Sequence, residues 1–342
     1  MADKLRVGFV TVEPHGYPWI RVLDRFMKDE VEAVAVWDYD DPVAQKFAKE
    51  WDIADVVEEP EDMVGKVDAV FVAGGRRGPG ENEVWGGYKD DHLELSRPFL
   101  EAGLPVMVDK PLADTVEDAV EMIRLAKANN ALLMSCSANR YTAEVMSLRE
   151  SIESGDLGKI IGARCTLGSG LSTFGWYLIH VMEALHILLG SGIESVYAIP
   201  SGDELTMGRG PQELPAAHAT IVRWRDGKLA TILQLRDETE GSVGTPMRGP
   251  RYLWPTDGIV PPYLPLLYDV RVYGTMYYQD AVPKGKSCYR RNVRAFLVMI
   301  ETGELPFPLE APLEITQAVA AAEESAESGQ LEKLIPVEEL MP

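Results

Sequence analysis

Between residues 5 and 135, short apolar, β-branched runs alternate with segments whose apolar residues recur at helical spacing. No other feature restricts the fold as much. The runs are 5–12 (LRVGFVTV), 31–37 (VEAVAVW), 67–73 (VDAVFVA), 104–108 and 131–135, each of buried-strand length. Between them, Trp19, Ile20, Leu23, Phe26 and Met27 mark one helix face. Residues 42–51 form a second helix candidate, with Pro42 in the first turn, where a missing N–H costs little. Residues 91–102, closed by Gly103, and 115–129 supply two more. Strands that alternate with helices imply a parallel sheet covered on both faces. Residues 1–135 are therefore expected to form a doubly wound α/β domain of nucleotide-binding type.

After Gly155 the rhythm changes. Residues 159–166, 194–199, 217–224, 229–235 and 268–273 read as strands with little helix between them. Arg225-Asp226-Gly227-Lys228 joins two of them as a hairpin turn. Helices are expected at 177–189, 292–301 and 315–328. The whole chain, 342 residues, is too long for one small core and suits two domains. The second, 136–342, is expected to be α+β around a mostly antiparallel sheet, with its last helices able to pack back on the first domain. Residues 241–265 hold many Gly and Pro and read as a long loop, either a lid or an oligomer contact.

Charge removes several classes of function. With 33 Lys and Arg against 54 Asp and Glu, the net charge is −21. Such a surface repels phosphate backbones, so nucleic acid and anionic membranes are not expected as partners. The longest nearly uncharged stretch, 167–193, contains His180, Glu183 and His186, which a bilayer tolerates poorly. Residues 1–6 lead straight into a strand with no signal-peptide core, so a cytoplasmic chain is expected. Cys136, Cys165 and Cys288 lack paired spacing and suit reduced, buried thiols. The five histidines are too scattered for a metal tract, and no metal is expected.

An open parallel sheet binds its ligand beyond the carboxyl ends of the strands, where a glycine-rich turn admits a pyrophosphate. Here that turn reads Thr11-Val12-Glu13-Pro14-His15-Gly16. A GxGxxG frame finds Thr11 and Glu13 at two glycine positions, and only Gly16 in place. Glu13 would set a carboxylate beside a phosphate. Asp38 ends the second strand, where an acid can accept both ribose hydroxyls and favour NAD over NADP. It can equally be a solvated turn acid, since Asp40 and Asp41 follow. Arg76-Arg77, after the third strand, is either an anion contact or a solvated loop tip. The stretch 74–91 is longer than the usual turn and could cover a nucleotide.

Val106-Met107-Val108-Asp109-Lys110-Pro111-Leu112 ends the fourth strand and puts a lysine at the carboxyl edge of the sheet. This segment resembles the Glu-Lys-Pro of the glucose–fructose oxidoreductase, inositol dehydrogenase and MocA (Gfo/Idh/MocA) family. The resemblance extends through the helix that starts at His92, through Asn139-Arg140-Tyr141 with Ser154-Gly155-Asp156-Leu157-Gly158, and through 296–308 (FLVMIETGELPFP). The family frame Asp-x-x-x-His-x-x-Asp falls on Trp176 to Glu183. Its histidine is His180, its second acid is Glu183, and its first aspartate is replaced by Trp176.

The resemblance implies a Rossmann-like first domain and hydride transfer between a nicotinamide and a secondary alcohol of a sugar, inositol or related polyol. It implies NAD contacts from Thr11, Val12, Gly16, Asp38, Gly74, His92, Asp109 and Lys110. Substrate contacts would come from Arg140, Trp176 and Glu183, with Glu183 alternatively orienting His180. Loss of a hydride requires loss of the alcohol proton, so a base must lie within hydrogen-bond reach. His180 titrates near neutrality, whereas Lys110 needs a lowered pKa. His180 is assigned as acid/base with Lys110 orienting the substrate oxygen, the reverse remaining open. The resemblance also implies a homodimer or homotetramer. Two other readings stand beside this one: NAD-assisted cleavage of a glycosidic bond, and a non-catalytic relative that binds a ligand or partner.

Overall fold

β1 (Leu5–Val10) is buried from Val7 onward because a parallel neighbour flanks it on each side. The computed structural model describes residues 4–12, 16–74, 76–77, 88–89, 91–169, 174–200, 217–236, 267–283 and 288–341. The chain divides into two units. One comprises Met1–Pro79, Tyr88–Cys136 and Tyr289–Leu313; the other Gly80–Gly87, Ser137–Cys288 and Glu314–Pro342.

In the first unit, α1 (Gly16–Phe26) links β1 to β2 (Val31–Trp37), and α2 (Asp41–Trp51) leads to β3 (Asp55–Val56). β4 (Ala69–Val72) is followed by a two-residue ladder, β5 (Arg76–Arg77) with β6 (Tyr88–Lys89). Then come α3 (His92–Glu101), β7 (Val106–Val108), α4 (Val116–Asn129) and β8 (Leu133–Ser135). The sheet runs β3-β2-β1-β4-β7-β8, every pair parallel. The expected five strands form. β3 adds a sixth, too short to carry a readable pattern. The chain reverses direction across the sheet between β1 and β4, which is the switch point where such sheets bind ligands.

Both faces of this sheet carry helices, which is why its strands read as unbroken apolar runs. α1 buries Trp19, Ile20, Val22 and Leu23. Thr115 caps α4 by accepting the Asp118 N–H at 3.1 Å. Phe9 stacks on Phe71 at 5.2 Å, and Phe71 meets the edge of Phe296. Phe296 lies on α7 (Cys288–Thr302), a late segment that returns to this sheet. Its Arg294 also grips Glu30 through two bonds of 2.6 and 2.7 Å.

The second unit begins with a 3-10 turn (Ala138–Tyr141) and α5 (Ala143–Glu153), a helix not anticipated because only Val145 and Leu148 on it are buried. β9 (Ile160–Ser169), α6 (Phe174–Leu189), β10 (Ile193–Pro200), β11 (Ala217–Trp224), β12 (Leu229–Arg236), β13 (Leu267–Gly274) and β14 (Tyr278–Ala281) follow. α8 (Glu310–Ser328), β15 (Glu332–Lys333) and α9 (Val337–Leu340) complete it. α8 starts earlier than expected because Pro312 sits in its first turn and is tolerated there. The sheet order is β14-β13-β9-β12-β11-β10-β15. All pairs are antiparallel except β9 with β12, so the sheet is mostly antiparallel, as the strand rhythm implied.

The expected Asp-Gly turn joins β11 to β12, with Gly227 at φ +91. α5, α6 and α8 share one apolar core with inward residues such as Val222, Trp224, Ala230 and Ile232. Outward positions alternate with these and stay open: Ile161, Ile221, Leu229 and Leu233 are 39–56% exposed. The long loop expected over 241–265 lies outside the described residues.

Candidate active site

Strand register gathers one group of candidate residues at the carboxyl edge of the parallel sheet. Val10 lies opposite Trp37 and Val72, and Val72 opposite Val108. The residues one step beyond, Thr11, Asp38, Ala73 and Asp109, therefore share the carboxyl edge of the sheet, around the switch point. Thr11 takes φ +58, the left-handed conformation normally left to glycine. For a β-branched residue this costs on the order of 1–3 kcal/mol, and such strain collects at functional turns. Its hydroxyl is shared between the carbonyls of Val10 (2.7 Å) and Gly74 (3.2 Å). A sharp turn thus forms where the first glycine of the frame is missing.

The Val12 N–H donates to Asp38 Oδ2 at 2.9 Å, and the Asp40 N–H to Oδ1 at 3.1 Å. The Asp38 carboxylate is therefore held at the strand ends rather than waving in solvent. Gly16 opens α1, and a Cβ there would lie 3.3 Å from the Thr11 carbonyl oxygen and 3.4 Å from Val12 Cβ. That close approach of helix to turn is the third glycine's task. These three features fit a dinucleotide laid across β1 and β2. Glu13, at the second glycine position, lies outside the described residues, as do the side chains of Arg76 and Arg77.

Gly74 and His92 act as one unit. Gly74 has φ +66, and any Cβ there would strike the His92 ring at 2.2 Å. His92 is 5% exposed, with Nε2 3.3 Å from the Ala73 carbonyl oxygen. The two residues thus pack together at the turn after β4. Asp91, just before α3, receives the Tyr39 hydroxyl at 2.5 Å.

Lys110 stands two residues beyond the end of β7 and is 9% exposed. Burial pushes its ammonium below the ordinary lysine range, while Asp109 and Asp114 oppose that shift. The strand end is fixed on both sides. The Asp109 N–H donates to the Val72 carbonyl at 2.9 Å, and Ser135 Oγ donates to the Asp109 carbonyl at 3.1 Å.

In the other unit, α6 meets the 3-10 turn. His180 is half-buried, and its Nδ1 lies 2.6 Å from Ser137 Oγ. Tyr177 flanks it with ring centroids 5.9 Å apart. Arg140 and Glu183, both expected to touch substrate, are 4% and 2% exposed and bond each other at 2.8 Å. Glu183 also accepts the Ser137 N–H at 3.3 Å. Burial pushes the Glu183 carboxyl up, against the pull of the Arg140 guanidinium. These two pair with each other in the structure, as a carboxylate this deep requires.

Trp176 lies on α6 four residues before His180, and its side chain is outside the described residues. His186, one turn beyond Glu183, pairs with Glu314 at 3.0 Å and serves packing with α8. Ser137 went unread in the sequence, although it lies two residues before the Asn139-Arg140-Tyr141 segment. Among the described residues no cluster of three metal-binding side chains occurs, and no helix is long and apolar enough to cross a membrane.

Residues 6–136 match a family model described as the oxidoreductase family with NAD-binding Rossmann fold, Gfo/Idh/MocA. Over 190 residues the chain is 29% identical to the D-glucoside 3-dehydrogenase of Escherichia coli, covering 50% of each protein. Over 164 residues it is 30% identical to inositol 2-dehydrogenase 3 of Saccharopolyspora erythraea, covering 47% of this chain and 44% of that one. The chain thus spans half or less of the length of these curated relatives. A solved structure of scyllo-inositol dehydrogenase from Lactobacillus casei, with NAD(H) and scyllo-inositol, superposes with TM-score 0.74. At 16% identity over 97% of this chain and 98% of that one, it establishes the same fold. The likeness to the Gfo/Idh/MocA oxidoreductases is carried by the doubly wound domain, residues 6–136.

Proposed function

We propose that the protein is an NAD-dependent oxidoreductase acting on a secondary alcohol of a sugar, inositol or related polyol. The observation that carries this reading is a lysine buried at the carboxyl edge of a parallel sheet, beside its switch point, with its charge disfavoured by burial. Burying an ammonium is expensive, and such sites are enriched in function. When bound, the nicotinamide supplies the acceptor or donor of the hydride.

Lys110 donates a hydrogen bond to the reacting oxygen and orients it. His180 takes the alcohol proton at Nε2, since Nδ1 is engaged by Ser137. Asp38 accepts the ribose hydroxyls of NAD and repels the extra phosphate of NADP. Arg140 and Glu183 hold the turn that carries Ser137 and leave substrate contact to other groups. The test is a panel of polyols and sugars incubated with NAD and read for NADH absorbance. No NADH from any substrate, together with no binding of NADH or NADPH, would end this reading.

Coenzyme choice gives a sharper prediction. NADH should bind at least about tenfold more tightly than NADPH, a difference of about 1.4 kcal/mol. Asp38→Asn, which keeps the acceptor oxygen and removes the charge, should narrow that gap. A wild type that prefers NADPH in a fluorescence titration overturns the role of Asp38.

We further propose a homodimer or homotetramer closed through the open face of the seven-stranded sheet, where Ile161, Ile221, Leu229 and Leu233 lie exposed. Leu233→Glu should lower the mass measured by light scattering. An unchanged mass would exclude this face. We place the chain in the cytoplasm, in keeping with three buried cysteines that form no disulfide.

A further inference from the structure

The ring of His180 is held by a residue that does not lie on its own helix. Ser137 is 1% exposed, and each of its polar groups has a defined partner. Its Oγ accepts the Asn139 N–H at 3.1 Å, its carbonyl accepts the Arg140 N–H at 3.0 Å, and its own N–H donates to Glu183 Oε1. Glu183 uses its other oxygen for Arg140. The buried ion pair thus pins the 3-10 turn to α6, three residues along the helix from His180, and the pinned turn delivers a hydroxyl to Nδ1 at 2.6 Å.

A hydroxyl has one donor hydrogen and two lone pairs. With one lone pair given to Asn139, Ser137 retains one donor and one acceptor. It donates to a bare Nδ1 when the proton sits on Nε2, and it accepts from Nδ1–H when Nε2 is bare. A carboxylate in the same place offers only the second bond and fixes one tautomer. We propose that Ser137 is the positioning residue of His180, holding its ring by a bond that survives either tautomer and confining proton exchange with the substrate to Nε2. In the oxidising direction the alcohol O–H bond breaks and its proton passes to Nε2, while Nδ1–H stays donated to Ser137. The reducing direction returns that proton to the substrate oxygen.

The effect on turnover rests on the function proposed above; the contact itself does not. Two measurements separate them. The first is the ¹⁵N spectrum of the histidine rings in the protein without substrate, with the His180 signals identified by their loss in His180→Gln. In Ser137→Ala these signals should shift by several ppm while those of the other four histidines stay in place. The second is steady-state kinetics: kcat should fall about 10–100-fold, the usual worth of a group that orients a histidine, with KM within about twofold.

Ala also removes the bond to Asn139, so the unfolding midpoint is measured beside both. Ser137→Cys, close in shape but a weak hydrogen-bonding partner, should repeat both effects in smaller measure and decides the matter if Ala does not fold. An unmoved His180 signal, or a kcat equal to that of the wild type, overturns the proposal. If the wild type oxidises no polyol, the functional reading falls, and the ring shift alone decides whether Ser137 holds His180.

Discussion

Lys110→Met and His180→Ala should each lower turnover about 10²–10⁴-fold, the range contributed by a positioned proton donor or acceptor. NADH should still bind His180→Ala, since that change touches neither the Thr11 turn nor Asp38. If the two residues serve one proton and one oxygen as proposed, the double variant should be little worse than the poorer single one. Full turnover in either single variant would remove that residue from the mechanism. Lys110→Met carries a second expectation of opposite sign. Burial lowers the pKa of this ammonium below its unfolded value, so its charged form is disfavoured by folding. The stabilising contribution is complete only above the unfolded lysine pKa and is lost as pH falls through the folded one. At neutral pH the Met variant should therefore unfold no lower than the wild type, and any advantage should shrink as pH rises toward the lysine range. Asp109 and Asp114, both partly exposed, keep access to water once the ammonium is gone. A variant several degrees less stable at neutral pH would contradict this account.

Arg140→Met should cost about 3–5 kcal/mol in denaturant unfolding, because it leaves Glu183 as an uncompensated charge at 2% exposure. Replacing both partners, Arg140→Met with Glu183→Leu, should recover much of that loss, since desolvation of two ions disappears with them. Turnover should not recover with stability. The double variant still lacks the carboxylate that accepts the Ser137 N–H, so the turn loses its anchor on α6. A single variant costing less than about 1 kcal/mol would show that the pair is solvated, and the support assigned to it would fail.

Parts of this molecule are legible in local order. The run 31–37 ends at Trp37 both as a pattern and as a strand, so Asp38 had to stand at a strand end. The run before Asp109 places Lys110 in the same way. Asp226-Gly227 defines its hairpin within four residues. Other parts carry no local signal. β3 is two residues long, and α5 shows the core only Val145 and Leu148. The parallel pairing of β9 with β12 is set by how a whole sheet closes over α6, which no turn sequence records.

The site divides along the same line. Sequence alone determined the doubly wound sheet and the positions along its carboxyl edge, because strand period and strand length are properties of neighbouring residues. It also determined that α6 carries a histidine and an acid three residues apart. Only the tertiary structure decided what those side chains do. Ser137 meets His180, and Arg140 meets Glu183, each across 43 residues of chain. Such a meeting depends on how a short turn packs against a helix, and on the cost of leaving a buried charge unpaired. That cost pairs Arg140 with Glu183 beside a serine that the sequence had given no reason to notice.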